Sequence, residues 1–77
     1  MTVNDVYKIL QHTYQLVYDG EWWNMTGFNE YECYLEHYEC HDEYVVSLED
    51  LAKAQVDYYK LVPISDEEIA KLTGKEE

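Results

Sequence analysis

Val3, Val6, Tyr7, Leu10, Tyr14 and Val17 recur at intervals of three and four, the spacing that gathers apolar side chains on one side of an α-helix. Thr2 stands before the run as an N-cap, and Asp5 falls near the positive end of the helix dipole. The pattern therefore predicts a first helix that runs to Val17. Tyr18-Asp19-Gly20 ends it, because Asp-Gly readily supplies a turn with positive φ.

From Glu21 to Val46 the apolar positions change character. Trp22, Trp23, Tyr31, Tyr34, Tyr44, Val45 and Val46 are strand formers, with turn signals at Gly27-Phe28-Asn29 and from Glu39 to Asp42. Three strands in an antiparallel meander follow from this reading. The alternative is one long helix and an all-α bundle, since Phe28, Tyr31, Leu35, Tyr38 and Val45 also fit a seven-residue pattern across residues 29–46.

Ser47 then reads as an N-cap with Asp50 at the third helical position, and Leu48, Ala52, Val56 and Tyr59 form the buried stripe of a second helix. Pro63 interrupts the chain. Ser65 and Glu68 form a capping box, with Ile64 and Ile69 as its hydrophobic staple, for a short helix that reaches Leu72 and stops at Gly74. The fold class expected is α+β: an N-terminal helix, a three-stranded antiparallel meander and one or two C-terminal helices. One domain spans residues 1–73, and residues 74–77 form a tail that frays.

A chain of 77 residues has room for one modest core. Nine tyrosines and two tryptophans argue for a folded chain despite its charge. That charge changes the picture: 17 acidic residues oppose five lysines and no arginine, for a net −12. The lysines are Lys8, Lys53, Lys60, Lys71 and Lys75, so the stretch from Ile9 to Ala52 carries no cation other than histidine. Carboxylates left uncompensated over that length repel one another on folding, which points to a demand other than stability. Direct nucleic-acid binding is disfavoured, because so few cations neutralise few phosphates. No apolar run has the length of a membrane span or the form of a signal peptide, so a cytoplasmic protein with reduced thiols is expected.

The segment Asn29 to Glu39 interleaves acid with tyrosine. On a strand, Glu30, Glu32, Tyr34, Glu36 and Tyr38 share one face, whereas Tyr31, Cys33, Leu35 and His37 share the other. Carboxylates two positions apart are then separated by roughly 6.6 Å, of the order of phosphate spacing. Glu30, Glu32, Glu36, Glu39, Asp42 and Glu43 are the candidates for charge, with Tyr34 and Tyr38 as anchors. A second group, Cys33, His37, Cys40 and His41, holds possible zinc ligands, but their order lacks a paired Cys-x2-Cys knuckle, and no metal or other cofactor is expected. Acidic surroundings are expected to raise the thiol pKa values, and the chain has no phosphate loop or zinc-protease signature, so an enzyme is not expected.

The opening Met1-Thr2-Val3-Asn4-Asp5-Val6 and the segment Asp42-Glu43-Tyr44-Val45-Val46-Ser47, together with the order of elements and the acidity, resemble small phage anti-CRISPR proteins. Other phage DNA mimics share the acidity. The resemblance implies an inhibitor that occupies the basic DNA-reading groove of a host defence nuclease. Its partner would be a basic nucleic-acid-binding protein of a bacterial host, with neither nucleic acid nor membrane bound directly. The alternatives are an adaptor that uses an aromatic patch including Trp22 and Trp23, and a small zinc-binding module.

Overall fold

The computed structural model describes residues Met1–Gly74. The chain is α+β, with its elements in the order α1 (Val3–Leu10), β1 (Gln15–Tyr18), β2 (Glu21–Phe28), β3 (Glu32–His37), β4 (Glu43–Ser47), α2 (Leu48–Lys53), β5 (Asp57–Tyr59) and α3 (Asp66–Thr73). The five strands form one sheet in the order β4-β3-β2-β1-β5, and every neighbouring pair is antiparallel. The expected meander is its β2-β3-β4 portion. Two strands extend it on one side, both drawn from segments that the sequence pattern assigns to helices.

The first helix ends earlier than its apolar spacing suggests. Thr2 and Asp5 close a reciprocal capping box at its start, and its end is set at Thr13, whose buried hydroxyl donates to Ile9 O at 2.8 Å. Tyr14 then leaves the helix, donating through its backbone to Tyr59 O and accepting from Met25 N. Gln15–Tyr18 pairs instead with β2 through a two-residue turn. Asp19 (φ 56°) and Gly20 (φ 76°) both adopt positive φ, as the type I′ hairpin turn requires. The Asp-Gly signal thus closes a hairpin rather than a helix.

The second departure is similar. Ser47 caps α2 by accepting from Asp50 N at 3.1 Å, yet the helix stops at Lys53, and Ala54 is extended (ψ 160°). Asp57–Tyr59 adds to β1 as an edge strand, burying Tyr58 rather than the Tyr59 of the helical stripe. Helix α3 has the expected bounds within a residue: Ser65 Oγ accepts from Glu68 N, and Gly74 ends it in the left-handed conformation (φ 72°). Glu68 turns its carboxylate to Lys60. Of the tail expected to fray, residues 75–77 lie outside the described residues.

The core forms between the helices and one face of the sheet. Val6, Ile9 and Leu10 of α1, with Leu48 and Leu51 of α2, meet Leu16, Trp23, Cys33, Leu35, Val46 and Tyr58 from the strands. Ile69 of α3 packs against the same cluster. Each fully buried Leu contributes about 1.5–3 kcal/mol of transfer free energy, so this single layer carries the domain. All three helices cover one face, and no element of the described residues covers the other.

Candidate functional site

Strand alternation decides what the open face displays. Trp23 pairs in register with Leu16 and His37, and Leu35 with Met25 and Tyr44, so these residues face the helices. Their neighbours face outward: Gln15, Trp22, Asn24, Glu32, Tyr34, Glu36, Glu43, Val45, Asp57 and Tyr59. Tyr38 follows β3 in the same phase and lines a hollow with Trp22 and Gln15. Trp22 is 43% exposed and Tyr38 56%, so the two rings form an apolar patch on the open face.

Of the expected site residues, Glu32, Tyr34, Glu36, Tyr38 and Glu43 are gathered on this face. Glu39 and Asp42 belong to the β3–β4 turn that borders it. Glu30 stands apart. It lies in the β2–β3 turn and lines a hollow with Tyr7, Phe28, Asn29 and Tyr31, because Asn29 Oδ1 accepts from both Tyr31 N and Glu32 N and bends the chain before β3 begins. Tyr31, expected on the packed side, is in that turn and 74% exposed.

The charge arrangement is uneven. The lysine ion pairs among the described residues are Lys53–Glu49, Lys60–Glu68 and Lys71–Glu67, all involving the helical layer. None reaches Glu30, Glu32, Glu36, Glu39, Asp42 or Glu43. Glu36 and Glu43 are direct cross-strand partners, which places two like charges about 5 Å apart at Cβ. The counter-groups at this end of the sheet are histidines: His41 Nδ1 lies 3.0 Å from Glu36 Oε1, and His37 Nε2 lies 3.3 Å from Glu21 Oε1.

Aromatic geometry adds a part that the acidic pattern does not show. Trp22 reaches across β1 to Tyr59, with ring centroids 4.7 Å apart and planes tilted by 46°. Asn24 accepts a hydrogen bond from Gln15 Nε2 at 2.7 Å. The two adjacent tryptophans separate by alternation: Trp22 lies outside, whereas Trp23 is in the core with its indole N–H donating to Tyr18 O at 3.0 Å. Strand alternation through Trp22-Trp23 carries that signal in the sequence. For Tyr59 no such signal exists, because its strand is a tertiary product.

The candidate zinc ligands are not brought together. Cys33 is fully buried, Cys40 is exposed in the β3–β4 turn, and both are free thiols. The His37 ring packs edge-on against Trp23 at 5.0 Å, and its Nδ1 accepts from Glu39 N and Cys40 N. Among the described residues no group of three or more His, Cys, Asp or Glu is placed to hold a metal ion. Burial alone pushes the Cys33 thiol up to about 12, so acidic neighbours are not the cause. No helix of the described residues is long and apolar enough to cross a membrane.

No protein-family model, curated protein or solved structure matches this chain. The residues of the open face carry the functional reading.

Proposed function

We propose that this protein is a non-enzymatic decoy of nucleic acid: a small acidic inhibitor that acts in the cytoplasm of a bacterial host. Its open sheet face, with the β3–β4 turn, occludes the basic groove of a DNA- or RNA-binding protein. A host defence nuclease, such as a CRISPR effector, is the class of target that the sequence resemblance implies. One observation carries the reading: Glu32, Glu36, Glu39, Asp42 and Glu43 occupy one face and its bordering turn, and no lysine of the described residues pairs to them. Glu32 and Glu36 lie about 13 Å apart along β3, twice the separation of carboxylates two positions apart, with Tyr34 between them. Glu43 beside Glu36 and the turn acids beyond add to the negative charge at that end of the sheet. Tyr34 and Tyr38 supply rigid contact area among the charges.

Such binding weakens with salt and competes with nucleic acid. The test is capture of a partner from bacterial lysate on the immobilised protein, followed by elution with duplex DNA or with increasing salt. The expected result is release by both, and affinity roughly tenfold weaker for the Glu32→Gln/Glu36→Gln variant, as the loss of two partly exposed charge pairs implies. Retention in 1 M salt together with indifference to DNA overturns the proposal. It would favour the second reading, an adaptor that binds through apolar aromatic contact, which the exposed Trp22–Tyr59 pair supports. A partner held in that way depends on Trp22 and not on the carboxylates.

A further inference from the structure

The outer face is concave in its aromatic half, where a hollow of about 380 Å³ is lined by Gln15, Trp22 and Tyr38. Its walls are fixed by the backbone, since Tyr38 N donates to Trp22 O at 3.1 Å and so sets the two aromatic residues side by side. Tyr59 braces Trp22, with ring centroids 4.7 Å apart. Gln15 directs its amide N–H to Asn24 Oδ1, which leaves Gln15 Oε1 as an acceptor. Glu36 is the register partner of Asn24 on the next strand, so a carboxylate stands next to the hollow on the same face.

Aromatic walls, an amide oxygen and an adjacent carboxylate, with the lysine ion pairs of the described residues all involving the helical layer, define the chemistry of the occupant. The geometry points to an arginine side chain of the basic partner seated in this hollow, its guanidinium stacked on Trp22 beside Tyr38. The inference rests on the reading of this face as the docking surface for a basic protein, and it names the side chain that the face selects. A guanidinium is planar, weakly hydrated and a multiple donor, so it can stack on a ring while its N–H groups reach Gln15 Oε1 and Glu36. A lysine ammonium is a compact, strongly hydrated point charge without a planar face to lay on the ring. The hollow thus supplies a preference that carboxylates alone lack.

The experiment follows the indole N–H signals of the uniformly 15N-labelled protein during titration with capped tri-arginine, tri-lysine and tri-citrulline peptides. Trp22 and Trp23 serve as probe and internal control, because Trp23 is buried and its N–H is bonded to Tyr18 O. The expected result is a Trp22 shift with tri-arginine and a still Trp23. Tri-lysine binds roughly fivefold more weakly, and Tyr38→Ala, which removes one wall of the hollow, narrows that difference. Tyr38 is exposed, so this variant should keep the Trp23 signal and the dispersed amide spectrum of the folded domain. Equal affinity for arginine and lysine peptides, unchanged by Tyr38→Ala, overturns the arginine site while leaving an acidic docking face intact. Equal affinity for the uncharged tri-citrulline overturns it in favour of apolar stacking. If no peptide moves any signal of the outer face, the docking reading falls as well.

Discussion

Cys33 and Cys40 lie on one hairpin, yet their environments separate them chemically. Cys33 is sealed between the sheet and the helices, and burial pushes its thiol up to about 12 from an ordinary 9. Cys40 is exposed. A thiol-specific chromogenic reagent is expected to titrate one cysteine in the native protein and two in denaturant; two fast equivalents in the native protein would place Cys33 at the surface. The same burial sets a pH dependence. The folded pKa is raised above the unfolded value, so the contribution to stability is complete below about pH 9 and is lost as pH rises toward 12. Tyr58, raised from 10 to about 12 by burial and the nearby Cys33, acts in the same direction. The unfolding free energy from denaturant titration should therefore fall between pH 9 and 11, by on the order of 2 kcal/mol from Cys33 alone, and Cys33→Ala should flatten that fall. Tyr58 carries a further expectation. Its hydroxyl is buried and has no hydrogen-bond partner among the described residues, so Tyr58→Phe should leave stability unchanged or raise it by about 1 kcal/mol in urea unfolding at pH 7.

Among the elements, the β1–β2 hairpin shows how much a short segment can hide. Tyr14 and Val17 fit a helical interval, but Leu16, between them, is the residue that the core takes up. Periods of two and of 3.6 cannot be separated over four residues, and the outcome was decided by Thr13 closing α1 and by the turn that follows. The turn has a testable weight. Gly20 has φ 76°, with open space where a Cβ would be, so Gly20→Ala costs about 1 kcal/mol from backbone strain alone. Asp19→Asn, at φ 56°, should stay within about 0.5 kcal/mol of wild type. Urea denaturation measures both, and a Gly20→Ala variant as stable as wild type would contradict the left-handed conformation at that position. The caps and the meander were legible because Ser47, Ser65, Gly74 and the alternation through Glu32–His37 act locally. β5 was not. Its three residues become a strand only by pairing with β1, a long-range event that leaves no periodic trace.

At the scale of the whole molecule, the uneven charge gives the acidic face an energetic signature of its own. The tract from Ile9 to Ala52 announced an uncompensated negative surface in the sequence, and the alternation in β3 placed Glu32, Tyr34 and Glu36 on it; Glu30 escaped because Asn29 bends the chain there. The cross-strand pairing of Glu36 with Glu43 could not be read from either segment alone, since the register of two strands is a property of their hairpin. That pairing is unfavourable for folding, because like charges directly opposite repel by about 0.2–1 kcal/mol. Glu43→Gln should therefore stabilise the domain by a few tenths of a kcal/mol at low salt. The gain should shrink in 1 M salt, where the screening length falls to about 3 Å, shorter than the separation of the pair. The same substitution should weaken capture of the basic partner. A surface kept only for solubility gives no reason for those two effects to oppose each other, whereas a surface shaped for binding does. If Glu43→Gln stabilises the protein and leaves capture unchanged, the pair lies outside the contact and the docking face must be redrawn around Glu32, Tyr34 and Trp22.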